Sequence, residues 1–254
     1  MANLGEALDV ISASEGIDRG RLKSLAESLR RNAPDLINRR GRGRGGAHLS
    51  SRDIANLMLA VSTLPPLGMF AEVPGAVSKF RELPAEVDSF VAPYFLEIGI
   101  CDPSRNFGEN LELLLAGATD GRFEEVIVRE LVKAAPPRES SGNSKAARWT
   151  VAGRSREDWE LILEAVGPDR NFGSILKDAW REIDEPQGPR FGVHIDHHLQ
   201  TAELILGTGP GAEASDLSIH LSFAAETGNH GPRSRYTIRA ETIHLLGKLL
   251  VKED

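Results

Sequence analysis

Residues Asn38 to Gly46 read Asn-Arg-Arg-Gly-Arg-Gly-Arg-Gly-Gly. Four glycines in the six residues from Gly41 to Gly46 leave too much backbone freedom for a stable helix. They also permit positive φ and close approach of the chain to a ligand. The flanking sequence must therefore fold as separate elements joined through this run. On its N-terminal side, Leu4, Ala7, Leu8 and Ile11 fall at helical spacing, predicting a first helix over 3–14. Asp18 is placed to cap a second helix from about Arg19 to Arg31, with Leu22, Leu25, Ala26 and Leu29 as its apolar stripe, and Pro34 ends it. On the C-terminal side, Ser50 with Asp53 three residues on is a capping-box pattern. It opens a third helix with Ile54, Leu57, Met58 and Val61 inward, stopped by Pro65-Pro66.

Charge is distributed as unevenly as glycine. The whole chain carries −7. From Arg19 to Arg52 ten basic residues face only Glu27 and Asp35, a local charge of +8 that leaves −15 on the rest. Screening limits an exposed charge to about 10 Å, so a polyanion responds to this local field and not to the average. Nine of the ten are arginine, whose planar fork matches phosphate oxygens and the guanine edge in a way lysine cannot. The segment reads as a nucleic-acid surface. A solvated basic face, or cations placed favourably at a helix C-terminus (Arg30, Arg31), is the alternative.

Downstream, six prolines between Pro65 and Pro103 predict a connector, with a short helix near 76–82 and an apolar stretch from Phe90 to Ile100. Asn106 is a helix cap, and Gly121–Ala134 fits either a strand or a helix. The clearest loop runs from Pro136 to Ser144. Helices are expected over Arg156–Val166, with Trp159, Ile162 and Leu163 inward, and over 171–183. Strand content follows at Val193–Leu206, Leu217–Phe223 and Tyr236–Arg239, with a closing helix at Ala240–Val251. Arg-Asn-Phe-Gly occurs at 105–108 and again at 170–173. The expected class is α+β, mainly α. A winged-helix-like helical domain (1–64) precedes a Pro-rich connector and helical region (65–135) and a mixed domain with a small antiparallel sheet of two or three strands (145–254).

The order helix, turn, helix, Gly/Arg run, helix matches a winged helix-turn-helix. Within it, Gly41-Arg42-Gly43-Arg44-Gly45-Gly46-Ala47-His48-Leu49-Ser50-Ser51-Arg52-Asp53-Ile54-Ala55-Asn56-Leu57 resembles the wing and following helix of MerR-type DNA-binding domains. The resemblance spans about residues 3–62. The segment is also similar to uncharacterised alphaproteobacterial prophage proteins, in which a Gly-Arg-Gly stretch precedes an Arg-Asp-Ala-Ala-Asn-Leu-Leu type helix. The resemblance implies a recognition helix carrying Arg19, Arg21, Lys23 and Arg30, with Arg21 and Lys23 nearest base edges. It also implies a wing carrying Arg39, Arg40, Arg42 and Arg44, followed by Arg52. It does not imply the family's promoter-twisting mechanism. Residues 19–31 lack the aromatic residues of that family's recognition helix, prolines stand where its long dimerisation helix would be, and no effector-binding cysteines are present.

Enzyme signals are sparse. His194, Asp196 and His198 would share one face of a strand and could hold a divalent ion, with His220 on a neighbouring strand as a fourth ligand. The same alternation fits a polar face over buried Val193, Ile195, His197 and Leu199. Cys101, the one cysteine, sits after an apolar stretch and reads as a buried thiol. It excludes an internal disulfide. Trp149, Trp159 and Trp180 read as core or interface residues. No phosphate-loop, dinucleotide or nucleophile-elbow motif is present. No run approaches 18 apolar residues, and the acidic, polar N-terminus does not resemble a signal peptide.

These readings converge on a cytoplasmic, non-enzymatic DNA-binding protein of phage type. It is expected to act as a homo-oligomeric transcriptional regulator on double-stranded DNA, with no cofactor and no membrane contact. The alternatives are a small terminase subunit for DNA packaging and a metal-binding enzyme or sensor built on His194, Asp196 and His198.

Overall fold

A computed structural model describes residues 3–37, 48–63, 70–135, 154–165, 176, 190–197, 199–207, 217–224 and 235–250. The protein is α+β and mainly helical. The first helix lies where its apolar spacing predicts, and the second and third begin where their caps predict. α1 (Leu4–Glu15) starts at Asn3, whose side chain accepts from the Glu6 N–H while Glu6 reaches back. α2 (Arg19–Asn32) starts at Asp18, which accepts from the Arg21 N–H at 2.8 Å, and buries Leu22, Leu25, Ala26 and Leu29. α3 (Ser51–Ser62) starts at Ser50 with the reciprocal Asp53 contact.

α3 differs from its sequence pattern in one respect. Its periodicity predicts one buried face, yet every residue from Asp53 to Ser62 is buried. The helix runs through the middle of the molecule, with neighbours on α2, α4 (Val73–Arg81) and α6 (Phe107–Asp120).

The connector is more ordered than its prolines suggest. After α4 come a two-residue strand β1 (Phe90–Val91) and a short helix α5 (Pro93–Glu97), which Pro93 opens at its first position. Asn106 caps α6 with Glu109, and Gly121 at φ 90° turns the chain directly into α7 (Arg122–Ala134). The Gly121–Ala134 region is thus a helix. α8 (Arg156–Ala165) follows, with Trp159 fully buried. Of the helix expected over 171–183, only Leu176 is described; it is helical and buried. Trp149, Trp180 and the second Arg-Asn-Phe-Gly lie outside the described residues.

The sheet is larger than expected. Five antiparallel strands are ordered β1-β4-β3-β2-β5, with β2 at Arg190–Asp196, β3 at Thr201–Gly207, β4 at Leu217–Ala224 and β5 at Arg235–Arg239. Val193–Leu206, read as continuous strand content, is a hairpin in which Asp196 pairs with Thr201. His197 and Leu199 therefore sit in the turn and not on a strand face. The Asp196 carboxylate shapes that turn by accepting the Leu199 N–H at 3.0 Å.

One face of the sheet, carrying Val193, Ile195, Leu204, Leu221 and Phe223, packs into the helical layer. Phe107 of α6 meets Phe223 at 5.1 Å, and Phe123 of α7 meets Phe191 at 5.2 Å between ring centroids. A last helix, α9 (Ala240–Leu250), packs against α6 and α1. The α6 contact is close because Gly247 has no side chain: a Cβ there would lie 2.3 Å from that of Ala118.

α9 is also held by charge. Glu124 of α7 is fully buried, with Oε1 2.9 Å from His244 Nδ1 and 2.6 Å from Lys248 Nζ. Burial alone would raise its pKa. The hydrogen bonds from His244 and Lys248 outweigh burial and hold the carboxyl below its ordinary value. A depressed folded-state pKa contributes stability that is fully present above the unfolded value of about 4.3 and is lost as pH falls through the folded value. Glu124→Gln is expected to cost about 3 kcal/mol in denaturant unfolding at pH 7. It should also flatten the loss of stability on acidification; parallel acid limbs for variant and wild type would contradict this assignment.

Candidate nucleic-acid interface

The basic side chains of α2 occupy two flanks of the helix. At 100° per residue, Arg19, Lys23 and Arg30 fall within about 40° of one another, along one edge of the buried stripe. Arg21 lies on the other edge, and Arg31 is on the exposed outer face with Ser24 and Glu27. Arg19 and Lys23 are exposed and Arg21 and Arg30 half-buried.

Lys23 and Arg19 differ in how they are held. Lys23 Nζ is 3.9 Å from Glu27 Oε1, the loose i,i+4 geometry of a solvated pair. Arg19 is engaged more closely: its Nε donates to Asp9 of α1, with about half of each side chain in solvent. That hydrogen bond holds the Asp9 carboxyl below its ordinary value and raises Arg19.

Arg39, Arg40, Arg42 and Arg44 lie outside the described residues. Both ends of their segment are fixed. On the incoming side, Leu36 and Ile37 are buried. On the outgoing side, Leu49 is buried and His48 forms a β-bridge with Asn3. Asn3 is the cap of α1, and the Arg19 guanidinium reaches to 4.0 Å from where a Cβ on Gly5 would sit. The chain therefore leaves the Gly/Arg run beside the helix end that Arg19 approaches. Arg52 is exposed in the first turn of α3, three residues beyond Leu49.

Sequence patterning does not single out Asn56. It is fully buried in α3; its Nδ2 donates to the Leu36 carbonyl at 2.6 Å and its Oδ1 accepts from Arg81 Nη1 at 2.7 Å. Its one signal in the sequence is a polar residue among Ile54, Ala55, Leu57 and Met58. Arg81, in the Pro-rich region, gives no such signal.

His194 and Asp196 lie two residues apart on β2, and His197 is in the turn that follows. His194 lies on the less buried face of the sheet with Nδ1 2.8 Å from Thr237 Oγ1, and its ring covers Gly192, where a Cβ would be 2.7 Å from Nε2. Asp196 is committed to the hairpin turn. His220 Nε2 lies 3.3 Å from Ser222 Oγ. His197 packs edge-on against Phe80 of α4 at 5.0 Å. His198 lies outside the described residues. Among the described residues no three His, Cys, Asp or Glu side chains gather as a metal site.

Cys101 is 1% exposed, and burial, with the charge of Asp102, pushes its thiol pKa up to about 12. A thiol in that state is protonated at neutral pH. Among the described residues no helix is long and apolar enough to cross a membrane. No protein family, curated protein or solved structure matches the chain.

Cys101 gives a direct check on this packing. In native protein at pH 8 a thiol reagent should leave it unmodified for hours, and in denaturant it should react within minutes. Fast native labelling would show that the loop before α6 opens.

Proposed function

We propose that this protein binds double-stranded DNA through the basic surface carried by residues 19–52 and acts as a phage-type transcriptional regulator. The observation that carries the reading is the segregation of charge, +8 within those residues in a chain of −7. The fixed ends of the Gly/Arg run support it. The described residues on either side of the run, Leu36 and Ile37 before it and Leu49 after it, are buried in the fold. Arg19, Lys23 and Arg30 on one flank of α2, Arg39 to Arg44 in the run, and Arg52 at the start of α3 are the proposed contacts, with Arg21 on the second flank of α2.

Phosphate contacts of this kind release counterions, so affinity falls steeply with salt. Binding of a fluorescent duplex, followed by anisotropy across a salt series, tests the reading. Wild type should bind with a steep slope. The triple variant Arg40→Ala, Arg42→Ala, Arg44→Ala should lose about two to three units of that slope, near 0.9 per phosphate contact. No binding at low salt would overturn the reading and make the basic surface a contact for acidic protein, such as the acidic remainder of a second copy.

Asp9→Asn supplies a second measurement. Releasing Arg19 from its acidic partner should tighten binding and steepen the slope; unchanged affinity and slope would place Arg19 outside the interface. We also propose that the protein works as a homo-oligomer in the cytoplasm, since one such module makes few contacts. Mass in solution separates the two DNA-binding roles. A dimer fits the regulator, and a ring of eight or more subunits fits a packaging subunit.

A further inference from the structure

Among the described residues, all but one of the glycines inside helices have a neighbour that explains them. Gly5 and Gly20 have the capping side chains of Asn3 and Asp18 3.2 Å from where a Cβ would lie. Gly108 makes room for Arg81 of α4, Gly117 for Ile100 and Gly247 for Ala118, each at 2.9 Å or less. Gly75 of α4 is the exception: a Cβ there would meet nothing within 4 Å. Glycine weakens a helix relative to alanine, and alanine would fit here without a contact. Packing within the fold gives no reason for a glycine at this position.

Gly75 lines a cleft of about 710 Å³ between α4 and the β2–β3 turn. That is the size of a small-molecule site. α4 turns Val73, Val77 and Phe80 into the core, while Glu72, Gly75 and Lys79 lie along the cleft. Phe80 and Leu83, both buried, give it an apolar wall, and His197 of the turn packs edge-on against Phe80. Gln200, the left-handed residue of the same turn, also lines it.

The polar groups of the cleft carry both signs. Lys79 and Glu82 are exposed and stand three residues apart, with helical backbone continuing through Glu82. At that spacing their Cβ atoms are about 5–6 Å apart on one face. They do not pair with each other, and among the described residues neither they nor Glu72 form an ion pair. A ligand group of each sign can therefore be bracketed between Lys79 and Glu82. Phe80 and Leu83, the next residue after each, place apolar surface directly beside them.

We propose that this cleft binds a large apolar amino acid or a molecule of the same chemistry. Its aromatic or aliphatic body lies against Phe80 and Leu83, its carboxylate meets Lys79 and its ammonium meets Glu82. A ligand of a single sign would face one of these side chains as a like charge. The site is separate from the basic surface and does not depend on the DNA-binding reading.

Calorimetric titration of the full chain with L-phenylalanine and with L-leucine tests the proposal. At least one should bind saturably with a Kd below about 1 mM. Phenethylamine lacks the carboxylate of phenylalanine and 3-phenylpropanoate lacks its ammonium; each should bind about tenfold more weakly than phenylalanine. Gly75→Leu puts a side chain into the cleft with no clash at its Cβ and should abolish binding, with a circular dichroism spectrum like that of wild type. If this variant does not fold, Lys79→Gln, a change at an exposed position, should weaken phenylalanine about tenfold without weakening phenethylamine. No binding of either amino acid at about 10 mM overturns the proposal. Phenethylamine or 3-phenylpropanoate binding as tightly as phenylalanine overturns the two-signed head group, and undiminished binding by Gly75→Leu overturns the location.

Discussion

From Asp53 to Ser62, α3 has no face turned to water. A helix buried on all sides must satisfy every polar group it carries from inside the protein, because no solvent is there to do so. The Asp53 carboxylate is met by the backbone N–H and hydroxyl of Ser50, at 2.9 and 2.7 Å. Ser62 donates to the Leu59 carbonyl at 2.7 Å. Asn56 has no such local solution and reaches across to Leu36 and Arg81. The placing of α4 against α3, and of Gly108 against α4, follows from that requirement. The turn after α2 is tied to α3 through the Leu36 carbonyl.

Local chemistry was legible in the sequence. The starts of α2, α3 and α6 could be read because a cap is a short-range device, one side-chain oxygen meeting an N–H three residues ahead; α1 was read from its apolar spacing, and its Asn3 cap was not. The buried stripe of α2 could be read because three and four residue spacing maps onto one face. What failed was non-local. The β2–β3 hairpin turn contains no glycine, proline or asparagine, so it carries none of the usual turn residues; Asp196 and the left-handed Gln200 at φ 53° make the bend instead. β1 was hidden in the proline-rich stretch because two residues carry no periodicity, and only pairing with His220 and Ile219 makes them a strand.

The candidate interface divides the same way. That residues 19–52 concentrate positive charge is a property of composition and needed no coordinates. Which of those side chains share a flank, which already has an acidic partner, and where the arginine run is anchored are properties of packing. The pairing of Arg19 with Asp9 joins residues ten apart on two helices, and the Asn3–His48 bridge joins residues far more distant. Buried charge elsewhere obeys the same division: Glu124, His244 and Lys248 come together only when α7 and α9 pack.

The sealed position of Cys101 has a practical side. A chain whose one native thiol is buried and protonated is suited to labelling at an introduced cysteine. A cysteine introduced at an exposed site on the outer face of α2, such as Ser24, would carry a fluorophore or spin label alone. The distance from that label to a marked partner would then report, without altering the basic residues themselves, how the helix is oriented in whatever complex it enters.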